Sequence, residues 1–258
     1  MAFQRFVALG DSFTEGVGDD DPTRPNGVRG WADRVAEVLA AQPGAEGFRY
    51  ANLAIRGRKL GQILDEQIEP AIALQPDLVT IYAGGNDILR PSVDIDAMAM
   101  RYDEAIGRLA TTGATVGLFT AFDPGGYPVI GLTRGRYAIY TEWVRDIAER
   151  HGCVVLDMWR GGRTVPRWAI WSDDRLHMNS VGHHYLAEMV LRTLDVPHAM
   201  PAPSLAPPPN LTPIQARLGH ASWAWEHLLP WMHRRATGRS SGDTLAAKRP
   251  FLEPILPA

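Results

Sequence analysis

Lysine and cysteine are nearly missing from this chain: two lysines stand against 24 arginines, and Cys153 is the single thiol. One cysteine cannot close an intramolecular disulfide, which excludes a disulfide scaffold, and its place before an apolar run reads as a small core residue. There is no basic excess either. The formal net charge is −3, so no bulk positive field argues for nucleic acid as a partner. No apolar run approaches the ~18 residues of a membrane-spanning helix, so integral membrane association is not expected. Residues 1–5 lead straight into the first apolar run and leave no room for a signal peptide, which makes the cytoplasm the expected location. The bias toward arginine points to a GC-rich genome and says nothing of chemistry. No internal repeat is present.

What the chain does have is an ordinary globular composition, 45% hydrophobic and 21% charged, over 258 residues. That length accommodates one α/β domain plus an appendage. Apolar runs of strand length, at 5–9, 48–53, 78–82, 115–120 and 154–157, alternate with stretches of helical period at 30–41, 60–73, 95–112, 136–151 and 180–194. Met98, Tyr102, Ile106 and Leu109 mark the buried face of one such helix. The alternation predicts a three-layer α/β/α sandwich around a five-stranded parallel sheet, with the site at the C-terminal ends of the strands. Two long loops, 121–135 and 158–174, lie at that end, and the second carries Trp159, Trp168 and Trp171. From Pro201 to Pro209 five of nine residues are proline, which reads as a stiff linker. The expected division is therefore a catalytic domain over 1–198, a linker over 199–211, and an amphipathic helix with an extended tail over 212–258. Ile214, Leu218, Ala221, Trp225, Leu228 and Met232 form the stripe of that helix, with a kink at Pro230 and with Trp223 and Trp231 off the stripe. Such a stripe seeks a core or a second subunit, and the alternative is a lid or an acyl-pocket wall.

The chemistry begins at Gly10-Asp11-Ser12, directly after the first strand and before the glycine-rich turn at Gly16-Val17-Gly18. A serine on a tight strand-to-helix turn has its hydroxyl held out where a base can reach it. Three further elements follow in order: Asn52 to Gly57 after the second strand, Gly84-Gly85-Asn86-Asp87 after the third, and Asp174-Arg175-Leu176-His177 near the end, followed by Gly182-His183. These four elements, spread over residues 5 to about 194, resemble the GDSL or SGNH hydrolase family. The resemblance implies the flavodoxin-like fold of that family and a serine-dependent acyl transfer needing no cofactor. Ser12 would be the nucleophile, His177 its base, and Asp174 the acid that orients His177. The oxyanion donors would be the N–H groups of Ser12 and Gly57 with the side-chain amide of Asn86.

The physical need for these types is plain. A serine hydroxyl is a weak nucleophile until a base takes its proton. The base needs a fixed tautomer, and the tetrahedral intermediate needs donors aimed at its oxyanion. Several neighbours have duller readings. Asp11 holds the turn through backbone bonds, and Asp87 ties down the loop of Asn86. Asp173 competes with Asp174 as the orienting acid, but the D-x-x-H spacing favours Asp174. His183 and His184 follow His177 without a carboxylate or cysteine to complete a ligand set, so no metal is expected.

Candidate substrate-binding residues are Arg29, Trp31, Arg56, Arg58 and Arg90, with Trp159, Trp168 and Trp171. The arginines, with Lys59, are either solvated surface or a cationic rim for a carboxylate or phosphate. The tryptophans and the 213–232 helix suggest an apolar pocket for medium-chain acyl groups. The reading is an esterase or thioesterase acting on a small-molecule acyl ester or acyl-CoA. The alternatives are an acyltransferase to a sugar or glycerate hydroxyl, and a non-catalytic binding module. A homo-oligomer through the C-terminal helix fits the same stripe.

Overall fold

A computed structural model describes residues 2–126, 130–208 and 240–255, together with isolated positions between 210 and 237. Six strands form one sheet: β1 (Arg5–Gly10), β2 (Arg49–Asn52), β3 (Leu78–Tyr82), β4 (Thr115–Phe119), β5 (Val154–Leu156) and β6 (Arg249–Glu253). Their order is β5-β4-β3-β1-β2-β6. The first five pair in parallel, with Val7 opposite Ala51 on one side of β1 and Val79 on the other. From β1 the chain steps out to β2 and then back across to β3. That reversal places a crevice beyond the C-terminal ends of β1 and β3, the position at which such sheets bind ligands.

The period-two pattern of β1 builds both faces. Phe6 and Ala8 enter one buried cluster and Val7 and Leu9 the other. On the first face lie α2 (Trp31–Ala40) and α7 (Ser180–Thr193), and on the second lie α3 (Leu60–Ala73), α5 (Ile95–Ala110) and α6 (Arg134–His151). Trp31, Val35, Ala36 and Leu39 recur at helical spacing and all are buried. Each large side chain of that stripe contributes about 1.5–3 kcal/mol over leaving it in water. Side chains cap the helix starts: Asp94 accepts from the N–H of Asp96 and Ala97, and Asn179 from that of Gly182 at 2.9 Å. Gly152, at φ +64°, closes α6 in the left-handed region.

Five parallel strands were expected, and the sheet has a sixth. Residues 249–253 return beyond the proline-rich stretch and pair antiparallel with β2, Asn52 opposite Arg249 and Tyr50 opposite Glu253. A short segment reading Arg-Pro-Phe-Leu-Glu has neither clean alternation nor a hairpin turn to announce it. In the amphipathic stripe, Leu218, Ala221, Leu228 and Met232 lie outside the described residues, as does Trp231. Of the rest, Ile214 and Trp225 are exposed, while the indole of Trp223 donates to the backbone carbonyl of Asp174 at 2.9 Å. No described helix is long and apolar enough to cross a membrane.

Candidate active site

Ser12 opens α1 (Ser12–Glu15), a single helical turn directly after β1. Asp11 is its N-cap, accepting from the N–H of Phe13 at 3.0 Å. The sharp turn rests on Gly10, at φ +146°, where a Cβ would meet the carbonyl of Tyr82 at 2.5 Å and the hydroxyl of Thr14 at 2.6 Å. Gly10 has a second support that the sequence did not announce. The buried amide of Gln67, from α3, accepts from its N–H at 2.8 Å and donates to its carbonyl at 2.9 Å. The amide thus completes the backbone pairing where the turn leaves the sheet.

His177 stands between a hydroxyl and a carboxylate. Its Nε2 lies 2.9 Å from Ser12 Oγ, and its Nδ1 lies 2.6 Å from Asp174 Oδ2. Burial alone would raise the carboxyl of Asp174. The hydrogen bond and charge of His177, with the N–H groups of His177 and Leu176, outweigh it and hold the group well below the usual carboxylate range. An ionised carboxylate only accepts, so Nδ1 carries the proton and Nε2 is left to accept from Ser12. Asp174 is fixed in turn through its other oxygen, which takes the hydroxyl of Ser172 at 2.7 Å and the N–H of Leu176 at 2.9 Å. Asp173 is exposed and Asp174 makes the contact, in keeping with the three-residue spacing.

Asn86 sits in α4 (Gly85–Ile88), whose N-cap Gly84 has φ +87° and packs against the ring of Tyr140 too closely for a Cβ. Its amide nitrogen donates to Asp11 Oδ2 at 3.0 Å and to the carbonyl of Arg58 at 3.1 Å. The loop of Gly57 is thereby tied to Asn86, and Asn86 to the turn of Ser12. Among the described residues, no acceptor takes the backbone N–H of Ser12 or Gly57. Asp87 accepts from the N–H of Leu60 at 2.8 Å, anchoring the loop to the start of α3.

A cavity of about 90 Å³ opens beside Ser12 and His177, walled by Phe13, Tyr82, Leu89, Phe122 and Leu176, with Asn86 on its lining. Phe122 and Tyr137, which also lines it, were missed from sequence because neither has a motif around it.

Most of the expected substrate contacts lie elsewhere. Trp31 is fully buried and packs edge-on against Phe119, 4.8 Å between ring centres, so it belongs to the core. Arg29 pairs with the buried Glu37, and Arg58 with Glu66 at 2.8 Å. Arg56 grips Glu15 through Nε and Nη2, the closest contact 2.7 Å. Arg90 donates to the carbonyl of Asn86 at 2.6 Å, supporting the backbone behind the site. No common cationic rim results, because each of these arginines is turned to a partner of its own. Trp168 is half exposed, and Trp159 lies under Arg134 and Arg163, both of which bind Asp123. Of the three tryptophans, Trp171 alone comes near the cavity, packing on Phe122 at 5.2 Å.

His183 is structural. Its Nδ1 accepts from the N–H of Trp31 and its Nε2 faces the carbonyl of Val17, both at 3.2 Å, and burial pushes its pKa down to about 4. No cluster of metal-ligating side chains occurs among the described residues.

A serine hydroxyl, an imidazole and a carboxylate thus stand in line at the crevice of a parallel α/β sheet, an arrangement suited to serine hydrolase chemistry. The chain belongs to the GDSL-like lipase/acylhydrolase family, whose model matches residues 8–185. It is an ester-cleaving hydrolase by that membership. Among solved structures it is similar to LAE5, an α/β hydrolase from the metagenome of Lake Arreo, Spain, with 23% identity over 74% of this chain and 95% of that one, at a TM-score of 0.61. It is also similar to the acetylxylan esterase Axe2 of Geobacillus stearothermophilus, with 23% identity over 74% of this chain and 94% of that one, at a TM-score of 0.60. Catalytic variants of Axe2 replacing a serine, an aspartate or a histidine by alanine share the fold, at TM-scores of 0.61 to 0.62. No curated protein matches the chain.

Proposed function

We propose that this chain is a serine esterase that works through an acyl-enzyme on small-molecule esters of short acyl chains. The observation that carries the reading is His177, held by Asp174 at 2.6 Å and in reach of Ser12 Oγ at 2.9 Å. In the first step Nε2 takes the hydroxyl proton as Oγ bonds to the acyl carbon, and Asp174 stabilises the imidazolium. The tetrahedral oxyanion is met by the N–H groups of Ser12 and Gly57, with Asn86 turning one amide hydrogen toward it. Collapse expels the alcohol, protonated by His177, and water activated by the same imidazole releases the acid. Transfer to a sugar or glycerate hydroxyl would use the same acyl-enzyme, and product analysis in the presence of each acceptor separates the two outcomes.

The short-chain reading differs from the medium-chain expectation, and the walls of the cavity support it. The cavity beside Ser12 is small, about 90 Å³, and is walled by Phe13, Leu89, Phe122 and Leu176. Trp159 and Trp168, which suggested a longer pocket, do not line it. The test is an ester series from acetyl to octanoyl with one leaving group, run beside Ser12→Ala. We expect kcat/KM to peak at two to four carbons and the variant to be inactive. A profile rising to octanoyl would overturn the short-chain reading, and an active Ser12→Ala would overturn the mechanism.

A further inference from the structure

Residues 240–255 lie beyond the stretch that defines the family, yet they return to the two loops that carry Ser12 and Gly57. Lys248 is the anchor. It is 3% exposed, donates from Nζ to the carbonyl of Glu15 at 2.8 Å, and pairs with the carboxylate of Asp33. Glu15 is the last residue of α1, the turn that Ser12 opens. A helix end leaves its carbonyls without partners, and a cation there is favourable. The carbonyl before it, that of Thr14, accepts from Asn52 Nδ2 at 3.0 Å, and Asn52 is the register partner of Arg249. Asp33 is fixed too, accepting from the N–H of Gly30 at 2.9 Å.

The tail makes the same approach at two more points. The carbonyl of Ala246 accepts from Asn26 Nδ2 at 3.3 Å, and that amide also reaches Glu15 Oε1 at 3.0 Å. Ser240 Oγ donates to the carbonyl of Arg56 at 3.3 Å, and Gly242 lies so close to the same carbonyl that a Cβ has no space. Holding down an edge strand does not require an ammonium taken out of water, which costs several kcal/mol unless well paired. Lys248 instead joins the nucleophile turn, through the carbonyl of Glu15, to Asp33 of α2.

We propose that Lys248 is a positioning residue: the C-terminal tail straps the nucleophile turn, and Lys248 fixes the carbonyl end of α1 so that Ser12 Oγ stays aligned with His177. This rests on the reading of Ser12 as the nucleophile. Lys248→Met keeps the length of the side chain and removes its donors. Asp33→Asn with Lys248→Met also removes the carboxylate that would be left unpaired. Ile255→Ala loosens the same tail in the core without touching the turn.

The experiment measures kcat, KM and the rate of Ser12 labelling by a fluorophosphonate, well below each variant's Tm. Both Lys248 variants are expected to lose at least tenfold in kcat and in labelling with KM within twofold, while the double variant regains part of the lost Tm. Ile255→Ala is expected to lower Tm and keep kcat. A double variant within threefold of the parent kcat overturns the proposal. Should neither Lys248 variant fold, Ser240→Ala decides: a two- to fivefold fall in kcat at constant KM supports the strap, and no change overturns it. A parent protein not labelled at Ser12 would overturn the esterase reading instead, whereas a labelled parent with undiminished Lys248 variants overturns the strap alone.

Discussion

The side-chain amide of Asn86 donates to the carboxylate of Asp11 at 3.0 Å, one residue before Ser12. Asp11 is buried, and burial pushes its pKa up to about 7 against the N–H of Phe13 and the charge on His177. A carboxyl that changes charge near neutrality therefore touches the proposed oxyanion donor. It also caps the nucleophile turn, so its protonation is felt in stability as well as in catalysis.

The stability consequence has a definite sign. The folded protein holds the Asp11 proton up to about pH 7, whereas the unfolded chain releases it near its ordinary 3.8. Its contribution is full below about pH 4 and is lost as pH rises to about 7. The Tm of the parent should carry a component that declines across that window, and Asp11→Asn should flatten it. Calorimetry at half-unit steps from pH 4 to 8 measures this, and parallel curves for the two proteins would contradict it.

Asn86→Ala should lower kcat by about 10²–10³ and change KM little, because its donor is aimed at charge that develops in the transition state. The amide hydrogens now point to Asp11 and Arg58, so one of these bonds must be shared with the oxyanion. Asn86→Asp places an acceptor there and should be at least as inactive. A change confined to KM would make Asn86 a substrate contact.

Much of this site is legible in the sequence because its elements are local. Gly10-Asp11-Ser12 needs its glycine for the turn itself, and Asp174 and His177 lie three positions apart in one loop, so the words survive without tertiary knowledge. The strands read well for the same reason: Leu78–Tyr82 is apolar but for Thr80 because it is buried on both faces. What could not be read depends on partners far along the chain. Gln67 looks like a surface glutamine of α3 until Gly10 is placed beside it, and Lys248 looks like a solvated tail lysine until Glu15 and Asp33 surround it. Trp31 and Arg29 erred in the opposite direction. Their nearness in sequence to the nucleophile turn suggested the site, but α2 turns Trp31 into the core and Glu37 claims Arg29.

Asp174→Asn tests the orientation of His177. With Oδ1 held by Ser172 and Leu176, the amide turns its nitrogen to Nδ1, where it cannot accept as Oδ2 does, and it favours the wrong tautomer. A fall in kcat of about 10⁴ is expected, by analogy with the loss at the same position of a serine protease triad. Since the folded pKa of Asp174 is depressed, its stabilising contribution is present above pH 3.8 and is lost as pH falls below that value. The Tm gap between parent and variant should therefore be widest near neutrality and narrow in acid. A gap that stays constant from pH 7 to pH 3 would show that the carboxylate is not what His177 stabilises.

Arg56 separates a rim from a support. It flanks Gly57, the expected place of a cationic rim for a substrate carboxylate or phosphate, but its guanidinium is committed to Glu15, which is fully buried at the end of the nucleophile helix. The backbone N–H of Arg56 adds a further bond to the same carboxylate at 2.7 Å. Arg56→Gln leaves Glu15 buried without its charge partner, a loss of about 3–5 kcal/mol for a broken buried pair. In a chain of this size that corresponds to a fall in Tm on the order of 10 °C. Selectivity should not move: the ratio of kcat/KM for an anionic ester to that for a neutral ester of the same acyl chain should match the parent's at low salt. Arg56→Gln combined with Glu15→Gln should recover stability by removing the unpaired charge. An unchanged Tm together with a lost preference for the anionic ester would return Arg56 to the substrate side of the site.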